Sequence, residues 1–320
     1  MGVRDHNSMM DMSNRVRFIP ILIGLTIIAI ILLIATSLKY VSDRNILKNE
    51  LEEKNGPYLN EGASLLIDVS ARALISIFID SDGTEYVLVE RDPNTRFPIA
   101  SVTKLMTALV AEDAYGPDEV VTMSDTALSV KGASGSYIAG DAFILREALH
   151  ALLISSHNEI ALAIAEKIGE DVFVERMNAK ARALGLTNTS FVNPIGVDPD
   201  VGSEEINYST AEDIYKLLRY VFENRADIFE ILEKRSYEVV DITGTRRIPI
   251  VTTNKLLGDT NVALSVLGGK TGETPIAKQN LAVVSVAPSR GRVISVVIGS
   301  QDSFGDMKKL LSYVKNSFVW

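Results

Sequence analysis

The chain has 320 residues, 47% of them hydrophobic and 23% charged, the balance of a globular protein with a sizeable core. Its net charge of -9 argues against a nucleic-acid partner, because an acidic surface repels phosphate backbones. The lack of cysteine rules out disulfides, thiolate nucleophiles and Cys-built metal sites, and three histidines leave little for a His-built centre. No metal and no cofactor are expected.

Residues 18–38 carry no charge and are long enough to cross a bilayer as a helix. We expect a transmembrane anchor there, preceded by a cytoplasmic N-terminus at 1–17. A cleavable signal is the rival, since Ala35, Thr36 and Ser37 are small enough for a cleavage site, but signal cores usually run to only about 7–15 apolar residues. Either reading exports the rest of the chain. Arg4, Arg15 and Arg17 before the span balance Lys39, Arg44 and Lys48 after it, so flanking charge does not set the orientation. Residues 39–58 are polar and run through Gly56 and Pro57, which reads as a stalk. From 59 to 320 nothing breaks the composition, and one domain is expected.

That domain opens with two β-branched and aromatic runs, 73–80 and 84–90, joined through Ser81, Asp82 and Gly83 as a hairpin. Pro98 precedes a buried helix over 102–110. Two more helices follow at 145–154 and 160–168, rich in good helix formers. Strands return at 279–287 and 292–299, and a last helix runs from Asp306 to about Phe318. Strands at both ends and helices between them predict an α+β fold: an antiparallel sheet flanked by helices, with an inserted helical lobe.

Three short motifs carry the chemistry. Ser101 and Lys104 stand one helical turn apart on one face. A serine hydroxyl needs a base to become a nucleophile, and a lysine serves once burial or a cationic neighbour lowers its pKa. Alone the pattern is weak, for Ser312 and Lys315 match it too. Ser156, His157 and Asn158 lie between the two middle helices, where a hydroxyl and an amide point into one cleft. Alternatively, Asn158 merely caps the next helix. Lys270, Thr271 and Gly272 open a probable edge strand, and the glycine lets a substrate backbone approach. Together, in this order and these settings, the three are the signature of penicillin-binding proteins and class A β-lactamases.

The likeness extends beyond the motifs. The segments 98–107 and 152–161 resemble, almost residue for residue, the nucleophile and second-motif regions of low-molecular-mass penicillin-binding D-alanyl-D-alanine carboxypeptidases, serine peptidase family S11. Residues 185–194, 208–213 and 253–257 resemble further family segments. The resemblance implies a β-lactamase/DD-peptidase-like fold and a peptidoglycan stem peptide ending in D-Ala-D-Ala as substrate. It also implies β-lactam antibiotics as covalent inhibitors. Ser101 would attack the carbonyl between the two D-alanines and Lys104 would take its proton. Ser156 would relay a proton to the leaving group, and Asn158 would orient the substrate and Lys104. Lys270, Thr271 and Gly272 would bind the substrate's end, and the N–H groups of Ser101 and Glu273 would form the oxyanion hole. Such a substrate lies outside the bacterial cytoplasmic membrane, which puts the N-terminus inside and the domain outside.

Four departures from the family pattern stand out. His157 replaces a small residue and is expected to narrow the cleft. Glu273 adds a negative charge where a carboxylate should bind, Lys278 replaces a glycine, and Gln301 stands near an arginine of some relatives. A β-lactamase would need a glutamate in a Glu-x-x-Leu-Asn loop, and Ser203 stands where it belongs in the nearest match, 203–207. A non-enzymatic peptidoglycan-binding protein would tolerate damaged motifs, yet every chemical residue is present. An endopeptidase acting on cross-links would use the same residues.

Overall fold

The computed structural model describes residues 30–39, 56–60, 67–199 and 205–320. The chain divides into two units, Met1–Gly56 and Pro57–Trp320. In the first, residues 30–39 are helical with Ile30, Leu33 and Leu38 exposed. Among the described residues no helix is long and apolar enough to cross a membrane. Most of the span expected at 18–38, and of the stalk at 39–58, lies outside the described residues.

The second unit is built on a five-stranded antiparallel sheet. Its strands are β1 (Ala73–Asp80), β2 (Glu85–Arg91), β3 (Val266–Thr274), β4 (Lys278–Val286) and β5 (Gly291–Ser300). They lie in the order β3-β4-β5-β1-β2, so the N-terminal hairpin adds to a C-terminal meander. Ile298 pairs with Ala73 and Ser295 with Ser76. β1 is buried from Ala73 to Ile79 because both faces of the sheet are covered. Ile75, Ile77 and Ile79 join the core of the helical lobe, while Leu74 and Phe78 join a second core with Met307, Leu310 and Val314. Ser76 and Ser295 satisfy each other mid-sheet at 2.8 Å.

Between β2 and β3 the chain forms the inserted helical lobe that the sequence predicts. Its main helices are α1 (Lys104–Ala114), α2 (Leu145–Ile154), α3 (Asn158–Glu166), α4 (Glu170–Ala183), α5 (Ala211–Asn224) and α6 (Ala226–Leu232). α1 is buried on every face from Lys104 to Ala111, as a helix through the middle of a lobe must be. The sequence reading does not anticipate α4 to α6, nor the hairpin of Ser236–Val240 and Arg247–Val251.

A final helix, α7 (Ser303–Ser317), covers the other face of the sheet. It starts before the expected Asp306 because Asp302 caps it, accepting from Gly305 N at 3.0 Å. A Cβ on Gly305 would sit 2.2 Å from that carboxylate. The glycine that speaks against helix on propensity makes room for the cap.

Candidate active site

Phe97 and Pro98 pair with Ser209 and Tyr208, and the chain then turns into α1. The turn, Ala100–Thr103, is a 3-10 turn rather than the expected start of an α-helix. Ala100 takes a φ of 48°, a left-handed strain of the kind found at functional turns. In a 3-10 turn residues three apart eclipse, which stacks Lys104 over Ser101. Lys104 Nζ lies 2.8 Å from Ser101 Oγ.

Lys104 is fully buried. Its amine also meets Asn158 Oδ1 at 2.7 Å and Ile195 O at 2.9 Å. A neutral amine has two N–H donors and one lone pair. Both oxygens can only accept, so they take the donors and leave the lone pair to the Ser101 hydroxyl. Burial pushes the Lys104 pKa well below the lysine range, Lys270 pushes it further, and Glu159 opposes both.

Asn158 is the first residue of α3, and its side chain does not cap that helix. Its Nδ2 instead donates to Lys131 O at 2.8 Å. Ser156, at a φ of 61°, accepts from Lys270 Nζ at 2.9 Å. That amine also donates to Thr271 O at 2.9 Å. Lys270 is 1% exposed, and burial lowers its pKa from 10.5 to about 7.

β3 is the sheet edge, as expected, but Lys270 sits in its middle and does not open it. Gly272 serves a different purpose from the one its motif suggests. A Cβ there would lie 2.7 Å from Ile99 O and 3.0 Å from Ser101 N, so the glycine lets the edge strand close on the nucleophile turn. Ser101, Ser156, Asn158, Thr271, Gly272 and Glu273 all line one cleft of about 400 Å³. A larger cavity of about 570 Å³ lies in the helical lobe beside His150 and holds none of them. Chemistry, not volume, marks the site.

The departures read differently in three dimensions. His157 turns onto Tyr137, with Nδ1 2.8 Å from the Tyr137 hydroxyl, and it does not narrow the cleft. Burial lowers its pKa, Glu159 opposes this and Lys104 adds to it. Glu273 is exposed and accepts from Gln279 Nε2 at 3.3 Å. Lys278 has a φ of 59°, which is why glycine suits that turn. Gln301 is exposed, and its N–H donates to Ser70 Oγ. The second Ser-x-x-Lys pair is surface: Ser312 Oγ accepts from Asn316.

Sequence reasoning misses several members of the site. Thr253 lines the cleft with its hydroxyl 2.6 Å from that of Thr271. The carbonyls of Lys131 and Ile195 hold Asn158 and Lys104, but a backbone oxygen leaves no residue signature. Glu159 is fully buried beside Asn158. A carboxylate inside an apolar helix was the one available clue.

An antiparallel sheet with an inserted helical lobe, and a serine–lysine pair where they meet, define the DD-peptidase and β-lactamase class of fold. The chain belongs to the D-alanyl-D-alanine carboxypeptidase family, peptidase S11, whose model matches residues 61–302. Over 250 residues it is 33% identical to the D-alanyl-D-alanine carboxypeptidase DacF of Bacillus subtilis (strain 168), covering 73% of this chain and 59% of that protein. It is 28% identical over 271 residues to a D-alanyl-D-alanine endopeptidase of Escherichia coli (strain K12), covering 82% and 80%. Its fold matches the ampicillin-bound penicillin-binding protein D2 of Listeria monocytogenes with a TM-score of 0.65 and 25% identity, covering 78% of this chain and 98% of that one.

Proposed function

We propose that this chain is a serine-type D-Ala-D-Ala carboxypeptidase that removes the terminal D-alanine of peptidoglycan stem peptides through an acyl-enzyme on Ser101. One observation carries the reading: a fully buried Lys104 amine whose two other neighbours can only accept, 2.8 Å from the Ser101 hydroxyl. Ser101 Oγ attacks the carbonyl between the two D-alanines while its proton passes to Lys104 Nζ. The backbone N–H groups of Ser101 and Glu273 receive the negative oxygen. As the amide C–N bond breaks, Ser156 Oγ gives its proton to the leaving nitrogen and is reprotonated by the proton Lys104 took up, which returns Lys104 to the neutral amine and leaves the Lys270 charge in place. Thr271, with Thr253 beside it, and the Lys270 charge hold the terminal carboxylate. Water then attacks the acyl carbon while Lys104 takes its proton, and as the ester C–O bond breaks Lys104 returns that proton to Ser101 Oγ and the shortened stem peptide leaves. Every step uses side chains and backbone of the cleft.

β-Lactams enter the same acylation and remain on Ser101; the ampicillin-bound relative supports this. The substrate's location places the domain outside the bacterial cytoplasmic membrane, with residues 18–38 as a single-pass anchor and 1–17 inside. Cross-link cleavage is the second reading, favoured by the relative named an endopeptidase.

The test exposes the full chain, and Ser101→Ala, to a fluorescent penicillin, followed by intact mass. A stable adduct lost in the variant is expected, together with D-alanine release from a pentapeptide stem. Release from cross-linked dimers alone would establish an endopeptidase. Hydrolysed drug without a lasting adduct would establish a β-lactamase. No adduct on folded protein would leave a peptidoglycan-binding module.

A further inference from the structure

The segment 131–134 grips two consecutive residues of α3 with opposite chemistry. Its carbonyls, Lys131 O and Gly132 O, accept from Asn158 Nδ2 at 2.8 and 3.4 Å. Its donors, Ser134 N–H and Ser134 Oγ–H, both go to Glu159 Oε1, the first at 2.8 Å. Ser136 N closes the turn on Ser134 Oγ at 3.1 Å. With both Nδ2 hydrogens directed at carbonyls, the Asn158 amide has one orientation, and Oδ1 must face Lys104. The fit leaves no slack, since a Cβ on Gly132 would stand 2.9 Å from Asn158 Nδ2.

Glu159 is an expensive anchor. It is fully buried, and its Oε2 has no hydrogen-bond partner among the described residues. A half-satisfied buried carboxylate costs stability, and its place in the first turn of α3 offsets only part of that. Folding alone would favour an apolar side chain here. Resting on the carboxypeptidase reading, we propose that Glu159 is a positioning residue: its carboxylate anchors the 131–134 loop that orients Asn158, and it is the counter-charge to Lys104. Other groups share its field. His157 and Lys104 both sense Glu159, as does Tyr137, which also faces Asp141 and Arg246. Lys270 acts on Lys104 from β3.

The experiment measures the rate of Ser101 acylation by a fluorescent penicillin against pH, on the full chain with thermal melts alongside. Glu159→Gln keeps an acceptor for Ser134 but loses the charge. Lys104 then releases its proton more readily, so the acid limb of the profile moves to lower pH by about one unit. Ser134→Ala keeps the charge and loosens the loop, so the limb stays while the plateau falls about tenfold. A Glu159→Gln limb that coincides with wild type overturns the counter-charge. An unchanged plateau in Ser134→Ala overturns the anchor, even should Glu159→Gln fail to fold. A uniform loss in both variants that tracks their melting temperatures overturns the proposal in favour of a structural role. Absence of any Ser101 adduct in wild type overturns the carboxypeptidase reading itself, whereas an adduct with unmoved profiles overturns only the role of Glu159.

Discussion

Lys270 Nζ and Ser156 Oγ meet at 2.9 Å across 114 positions of sequence. The bond ties the sheet edge to the turn between α2 and α3, and it mirrors the Lys104–Ser101 pair within the same cleft. Two buried lysines thus each face a serine. Two like charges in a dry interior are costly to hold together, and Lys270 accordingly lowers the pKa of Lys104. The arrangement separates a proton acceptor from a cation.

The acceptor role of Lys104 predicts the outcome of Lys104→Arg. A guanidinium keeps the charge but does not deprotonate in a protein. Acylation of Ser101 should fall by about a thousandfold, within the range for losing a positioned base. Fluorescent-penicillin labelling over time, with circular dichroism to check the fold, measures it. Labelling within about tenfold of wild type would remove Lys104 from the base role.

Gly272→Ala should separate stability from chemistry. The new Cβ meets the backbone at Ile99 O and Val102 N, at 2.7 and 2.9 Å, and backbone cannot swing aside as a side chain does. β3 must retreat from the Ser101 turn, and overpacking of this kind costs about 1–3 kcal/mol. Because small misplacements weigh heavily on rate, acylation should drop about a hundredfold. Melting temperature and labelling rate, measured together, check both halves.

Residue types and their order made much of this site legible. Motif and order alone single out Ser101, Lys104, Ser156, Asn158 and Lys270, although Ser101 lies in a 3-10 turn, Asn158 opens α3 and Lys270 sits mid-strand, and the hairpin at Ser81 to Gly83 follows from turn chemistry. Contacts that run through backbone were not legible. Nothing in the letters of Ile195 or Lys131 says that their carbonyls hold an amine and an amide. The Asp302 cap was hidden by Gly305, which reads as a helix breaker until the cap's space requirement is seen. Arg247–Val251 alternates exposed and buried residues, a pattern that Pro249 obscures in the sequence because proline lacks the ladder N–H. On an edge ribbon a missing N–H is tolerated.

Lys278→Gly should stabilise the domain. Lys278 holds a φ of 59° at the turn between β3 and β4, a conformation costing a residue with a Cβ about 1–2 kcal/mol. Glycine removes that strain but adds freedom to the unfolded chain. A net gain of about 1 kcal/mol should appear as a melting temperature higher by about 2–4 °C. An unchanged or lower value would mean that the lysine side chain supplies a compensating contact.

Lys270→Met should abolish acylation and yet strengthen the fold, in a pH-dependent way. Burial lowers the Lys270 pKa from 10.5 to about 7, so the folded state resists its charge while the unfolded chain does not. The penalty is fully present below the folded value of about 7 and disappears as pH rises toward 10.5. Each unit of difference corresponds to about 1.4 kcal/mol. Against this stands the loss of a donor to Ser156 Oγ and Thr271 O, costing about 1–3 kcal/mol. We expect a net gain of about 2–4 kcal/mol for the variant at neutral pH, shrinking steadily as the solution is made alkaline. Denaturant unfolding of both proteins across that window tests the sign. A variant that is less stable at neutral pH, by an amount that does not change with pH, would show that the Lys270 hydrogen bonds outweigh its desolvation.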